Sequence, residues 1–482
     1  MDIRILGGEG EIGGNKVLLT HKKTKILLDF GMSFSRSGQY FSEYLQPRKC
    51  SSLIDFFEFG LLPDVPGIYR EDYLRHMERN PEEREVDALF LSHAHMDHTG
   101  YIHFLRKDIP IYCTEATKVI LQCMQETGRG SFSEFLTCCE AFTFYKTQTG
   151  SLGRVNMGNK KFVKEREYII MKPDTPVEVN SITVEMVPVD HSIPGACAFI
   201  VYTDEGNIVY SGDFRFHGLN GEKSSEFVEK AREARPQSFI CEGTRIHETK
   251  KTSEEKVEQK IKKLIPGKGH VFVEHPKRDI DRAKTIYDSA EHNGREFVVD
   301  LKSAYLIEKL GEMSPLNIKD LKILTPKKGW GLLGREDMLK NMIDENRGVW
   351  GLTASADMLK YLIERDYLTW EKEDLFCNNA ITCEELKNNP ENYVISTSFW
   401  EISQLVDIQP KNAIWIQSKC EPFSDEMELD EKRKDAWLAH FGIDKDIAHA
   451  SGHASGPEIR EVIESIHPKK VIPVHTEHPE LF

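Results

Sequence analysis

The sequence predicts an α/β protein of layered sheets, and three observations carry that expectation. Short apolar runs recur along the chain, and many end in a histidine or an acid. From about residue 239 such runs alternate with amphipathic segments of helical period, the rhythm of a parallel sheet flanked by helices. Between them stands His93-Ala94-His95-Met96-Asp97-His98, four metal-ligand types in six residues, entered from the apolar run Ala88-Leu89-Phe90-Leu91. Alternating residues on extended backbone project to one side, so His93, His95 and Asp97 can share one space while His98 turns toward a neighbouring position. Imidazole and carboxylate together suit one or two divalent ions.

In order, strands are expected over 3–6, 16–19 and 25–28. The first two flank the glycine-dense stretch Gly7-Gly8-Glu9-Gly10-Glu11-Ile12-Gly13-Gly14-Asn15. This stretch lacks the Lys-Ser/Thr ending of a phosphate loop and reads as a tight turn beside the site. Asp29 closes the third strand, where a carboxylate is costly unless it is paired; it is expected to hold a ligating histidine. Residues 32–85 show little regular pattern. Beyond the metal run, with a helix expected just after it, come a strand over 109–112 and a helix over 114–124. Strands over 181–187 and 206–210 lead to His191 and Asp213. After the strand 239–242, Thr252 with Glu255 suggests a capping box for a helix over 254–265. Strands are then expected over 271–274, 297–299, 349–352, 393–396 and 413–416, with helices near 280–291 and 304–312. The charged run 425–434 reads as the solvated face of a helix reaching residue 441. A helix over 457–467 and a strand over 470–474 end at His475.

The 482 residues allow two or three domains. Hydrophobic content of 39% with 29% charged residues is that of a soluble globular protein, and no run is long enough to span a membrane. The amino terminus enters a strand directly, and the ten cysteines form no CxxC pair, so reduced thiols and a cytoplasmic location are expected. A net charge of −15 excludes adhesion to nucleic acid by bulk charge. It leaves open an enzyme whose cations gather in one groove.

Taken together, HAHMDH, LLDFG, VDHSIPGA, YSGDF, CEGTR, SGHAS and VIPVHTE, in this order, resemble the metallo-β-lactamase superfamily. Within it the chain resembles the β-CASP nucleases of ribonuclease J type, archaeal members especially. The resemblance implies a four-layer αββα metallo-β-lactamase fold over 1–245 and 447–482, interrupted by an inserted β-CASP α/β domain over 246–446. It implies that His93, His95 and His191 hold one metal, that Asp97, His98 and His475 hold a second, and that Asp213 bridges them. Asp29 would stand behind these ligands. Asp97, Glu242 and His453 would be catalytic, with His453 protonating the leaving group. The cofactors implied are two divalent ions, zinc (Zn2+) ahead of manganese (Mn2+). Two departures from the bacterial pattern stand out: Glu242 replaces an aspartate, and the chain stops soon after His475.

The activity implied is hydrolysis of RNA phosphodiester bonds, from the 5′ end and also internally, in RNA decay or processing. Single-stranded RNA is the expected partner, DNA the alternative polymer, a homodimer the candidate assembly, and no membrane is involved. Ser396, Thr397 and Ser398 follow a strand in the inserted domain and are candidates to hold a terminal phosphate. Arg282 is a candidate for the RNA backbone. A small-molecule hydrolase would not need the large insert, and a non-catalytic scaffold would be expected to have lost ligands.

Overall fold

The computed structural model describes every residue except 43, 129, 131, 159, 251, 346–352, 423 and 424, and the side chain of 425. The strand expected over 349–352 therefore lies outside the described residues. The chain forms two units, Met1–Ser253 with Ser451–Phe482, and Glu254–Ala450. These divisions fall later than the expected 245/246 and 446/447. Ile246 packs in the first unit's core, and Gly456 donates its N–H to the Glu248 carbonyl, which ties 246–253 to that unit.

The first unit contains two six-stranded sheets. One runs Asp2–Gly7, Lys16–His21, Thr24–Leu28, Ala88–Phe90, Ile111–Cys113, Tyr168–Ile170, and is parallel from Thr24–Leu28 onward. The other runs Val177–Val179, Ile182–Pro188, Cys197–Tyr202, Ile208–Tyr210, Ser238–Glu242, Lys470–Val474, and is parallel over its last three strands. Val17, Leu19, Ile26, Leu28 and Phe90 of the first sheet pack on Val184, Met186, Phe199, Val201 and Tyr210 of the second. Each such buried side chain stabilises the unit by roughly 1.5–3 kcal/mol. The opposite parity, Leu18, Leu27 and Leu89, is equally buried, so both faces of the first sheet are covered. On the second sheet, Ala198, Ile200 and Val209 pack against Phe227 of helix Gly221–Glu233 and Ile459, Val462 and Ile466 of helix Gly456–Ile466. This gives the expected layering of two sheets between helices.

Several elements differ from expectation. The helix expected after the metal run starts inside it: Met96–Thr99 is a single turn, so Asp97 and His98 leave the extended path at His95. The helix Gly221–Glu233 and the strand Cys197–Tyr202 were not anticipated. Among the described residues the buried Thr252 hydroxyl has no hydrogen-bond partner, so the expected capping box with Glu255 does not form.

The second unit is built on a seven-stranded parallel sheet, ordered Ala380–Ile381, Lys322–Leu324, Glu296–Asp300, Tyr393–Thr397, Val271–Glu274, Ile414–Gln417, Asp444–Ile447. Phe272, Val298, Ile395 and Trp415 form its core with Leu405, Ile408 and Leu438. The charged run does lie on a helix, Asp425–Phe441. Its Lys434, however, is fully buried against Glu274 at 2.7 Å. No helix among the described residues is long and apolar enough to cross a membrane.

Candidate metal centre

The first unit places most of its chemistry at the carboxyl ends of strands with a parallel neighbour, where a sheet's loops converge, while His191 follows the antiparallel strand Ile182–Pro188. Asp29 follows Thr24–Leu28, the HAHMDH run follows Ala88–Phe90, and Asp213 follows Ile208–Tyr210. Glu242 ends its own strand, and His475 follows Lys470–Val474. Asp29 and His475 hold φ of +56° and +54°, a conformation that costs a non-glycine residue of order 1 kcal/mol and that clusters at functional sites.

Three imidazoles meet first. His95 Nδ1 lies 3.1 Å from both His93 Nε2 and His191 Nε2. Beside them His98 Nε2 is 3.1 Å from Asp213 Oδ2, and His475 Nε2 is 3.1 Å from Asp97 Oδ2. Asp213 Oδ2 also lies 3.7 Å from His93 Nε2, 3.8 Å from His191 Nε2 and 3.6 Å from His475 Nε2. One carboxylate oxygen thus faces both groups.

The outer nitrogens are fixed from behind. His191 Nδ1–H donates to the Gly452 carbonyl at 2.6 Å, and His93 Nδ1 bonds Ser92 Oγ at 3.0 Å. His475 Nδ1 bonds Thr244 Oγ1 and His98 Nδ1–H donates to Asp29 Oδ2, both at 2.7 Å. Asp29 is fully buried and satisfied by the Ser92 N–H, the Ser92 hydroxyl, the Tyr210 hydroxyl and His98. Each of these four imidazoles therefore turns Nε2 inward, the arrangement by which backing groups orient metal ligands. Ser92, Tyr210 and Thr244, which back this cluster, were not singled out from the sequence. Only the position of Ser92 between strand and motif could have signalled one of them.

These donors fit metal ions. The two sets, His93–His95–His191 and Asp97–His98–Asp213–His475, each bring their ligand atoms within 4.8 Å of one another. Nitrogens 3.1 Å apart approach the edge of about 3.3 Å of a tetrahedron with arms near 2.0–2.1 Å. Buried Asp213 Oδ1 has no hydrogen-bond partner among the described residues, a costly state that a cation relieves. Burial holds His93 and His191 well below the ordinary histidine pKa, in the neutral form that ligates. Burial would raise Asp213, but His475 and His98 outweigh it and hold its carboxyl well below the usual range.

At the rim, Glu242 is fully buried and His453 is partly exposed. Glu242 accepts from the Thr244 N–H at 3.0 Å and the Phe214 N–H at 3.3 Å. His453 Nδ1 lies 3.1 Å from Glu242 Oε1 and 3.9 Å from Asp213 Oδ2. Burial would lower the His453 pKa, but Glu242, with Asp213 and Asp97, overcomes it and raises the imidazole to about 9. Arg245 is directed elsewhere, to Glu248 and the carbonyls of Lys250 and His453.

Within the second unit, Ser396, Thr397 and Ser398 stand at the end of a central parallel strand. Ser396 Oγ bonds His275 Nε2 at 2.9 Å and Lys277 Nζ at 3.0 Å, and Ser398 donates to Glu401 at 2.9 Å. Lys277 also pairs with Asp300 and Glu401. Arg282 needs correction as a candidate for the RNA backbone. It is fully buried, holds Glu254 at 2.6 Å and donates to the Ser418 and Ala450 carbonyls, so its guanidinium is committed to the unit's interior.

Comparison with known proteins agrees with this geometry. Residues 10–273 match the model of the metallo-beta-lactamase superfamily, and residues 445–481 match the Zn-dependent metallo-hydrolase RNA specificity domain. Ribonuclease J of Mycolicibacterium smegmatis is 26% identical over 67% of this chain and 48% of its own length. Ribonuclease J of Methanocaldococcus jannaschii is 26% identical over 61% of this chain and 58% of its own length. The chain thus aligns with about half the length of these curated relatives. A crystal structure of a protein of unknown function from Enterococcus faecalis V583 has the same fold, with a TM-score of 0.70 at 22% identity over 100% of this chain and 95% of that one. With more than half its length matched and the ligands gathered at the strand ends, the chain belongs to the metallo-β-lactamase superfamily.

Proposed function

We propose that the protein is a metal-dependent ribonuclease that hydrolyses RNA phosphodiester bonds, from the 5′ end and also internally. The observation that carries this reading is the Glu242–His453 pair set 3.9 Å from the carboxylate that both ligand groups share. Such a pair equips a hydrolytic centre with a proton donor. RNA as the polymer is supported by the match to an RNA specificity domain and by relatives named ribonuclease J.

His93, His95 and His191 would hold one ion and Asp97, His98 and His475 the second, with Asp213 bridging. Zinc is favoured by the imidazole-rich donor set, with manganese as the alternative. Two such ions, when bound, would supply Lewis acidity and lower the pKa of a water toward neutrality. The protein's own residues handle the remaining charge and protons. His453 Nδ1–H donates to Glu242, which leaves Nε2–H as the proton for the departing 3′ oxygen. Glu242, held by two backbone N–H groups, keeps that imidazole oriented and protonated. Ser396, Thr397 and Ser398 are proposed to hold the RNA end, since ligands bind outside the carboxyl ends of parallel strands.

The test is digestion of labelled single-stranded RNA and matched DNA by zinc- or manganese-loaded protein, with 5′-monophosphate, triphosphate and hydroxyl ends and a His95→Ala control. Mononucleotides released from the 5′ end of RNA, and absent in the control, are expected. Equal or faster cutting of DNA would replace RNA as the substrate. No cutting of either polymer would overturn the nuclease reading.

A further inference from the structure

The glycine-dense stretch at residues 7–15 is not used by the chemistry above, yet it touches two ligands of the second metal position, Asp97 and His475, directly. The Gly8 carbonyl accepts the His475 N–H at 2.7 Å. At the other end of the turn, the Asn15 N–H donates to the Asp97 carbonyl at 3.0 Å. Gly13 lies so close to Asp97 that a Cβ there would sit 2.7 Å from Asp97 Cβ and 3.2 Å from Oδ2, the oxygen that faces His475. His98 is reached indirectly: Asn15 Nδ2 donates to the Tyr210 hydroxyl at 3.2 Å, and that hydroxyl donates to Asp29, which holds His98. Among the described residues no direct hydrogen bond joins the turn to His93 or His191, and the path to His93 is one step longer, through Ser92.

Two buried side chains set the turn's own shape. Glu11 accepts from the Gly8 N–H at 3.3 Å and from the Ser33 hydroxyl, and pairs with Arg36 at 3.2 Å. Lys16 donates to the Gly14 carbonyl at 2.9 Å, its ammonium 5.3 Å from the centre of the Tyr101 ring. Gly8, Gly10, Gly13 and Gly14 all have positive φ, which only glycine adopts without cost. A rigid template built of main chain thus spans the gap between Asp97 and His475, residues 378 positions apart.

We propose that this turn is the positioning element of the second metal position: it fixes Asp97 against His475, and crowding Asp97 from Gly13 or removing the Glu11 brace empties that position while the three-histidine position stays filled. The inference rests on the two-ion assignment and is independent of the polymer cut. Gly13 and Gly10 provide a matched pair. Both have positive φ, +80° and +67°, so alanine strains the backbone similarly at either. Only at Gly13 does the added methyl meet Asp97; at Gly10 it meets nothing within 4 Å.

The experiment is zinc content by elemental mass spectrometry after reconstitution and desalting, with a zinc titration of each variant. Wild type and Gly10→Ala are expected to carry two ions, and Gly13→Ala one. The second ion's affinity should fall about 10- to 100-fold, as when a ligand's supporting partner is lost, with an unchanged circular dichroism spectrum. Glu11→Ala loosens the turn without adding a methyl beside Asp97. It is expected to weaken the same ion and guards against misfolding of Gly13→Ala. Two ions of unchanged affinity in Gly13→Ala and Glu11→Ala, or equal loss in Gly10→Ala, would overturn the inference. A wild type that binds two ions yet cuts no RNA would defeat the ribonuclease reading and leave this inference standing.

Discussion

Lys16 is a cation where water cannot reach it, and its titration can be read from stability. Burial lowers its pKa to about 7 from an ordinary 10.5, against the pull of Glu11. Between those values the unfolded chain holds a proton that the folded chain has released, so stability rises with pH across that window. The gain is at most about 1.4 kcal/mol per pH unit. Below pH 7 both states are protonated, the full cost of burying the charge is present, and stability no longer varies with pH through Lys16. The difference in urea-unfolding free energy between wild type and Lys16→Met is therefore expected to change from pH 7 to pH 10 in favour of wild type. A pH-independent difference would show that Lys16 titrates normally. At this scale the clustered histidines and acids were legible because strand ends and ligand-type residues coincide in the sequence. Their supports were not. Thr244 reaches His475, and Gly452 reaches His191, across more than two hundred residues, and no local pattern records such pairing.

At the level of single elements, tertiary contacts override local signals in both directions. The helix Asp425–Phe441 was readable as a helix, but its charged run implied a solvated face. Lys434 instead lies beneath the surface, joined to Glu274 and Glu431. Arg282 is similar: the helix Ile280–His292 was anticipated, but the burial of its arginine was not. Removing one partner of a buried pair strands the other, at about 3–5 kcal/mol. Arg282→Met is accordingly expected to destabilise the protein by that amount, measured by urea unfolding. Adding Glu254→Gln to Arg282→Met should recover a substantial part, because the stranded carboxylate is then gone. A loss below about 1 kcal/mol would mean the pair is not held in solution as described. The turn Met96–Thr99 departed from expectation because extended backbone cannot send Asp97 and His98 to a second position. The chain had to coil at His95 to do so.

For the molecule as a whole, the order of the chain explains why the site needs both of its ends. The first unit is left at Ser253 and resumed at Ser451, and its last strand, Lys470–Val474, lies parallel to Ser238–Glu242. His453 and His475 come from that final stretch, whereas His93 to His98 come from the first hundred residues. The layered architecture was legible because strand runs and helical periods are local. The site's closure was legible only through resemblance, since nothing local ties residue 475 to residue 97. This closed cluster is proposed to hydrolyse RNA with His453 as its proton donor. That role is tested most directly by comparing turnover on labelled single-stranded RNA for zinc-loaded wild type and His453→Ala, with zinc content measured on the same samples. Two ions in both proteins and turnover lower by about 10²- to 10⁴-fold in the variant are expected. Equal turnover with equal metal content would contradict that role.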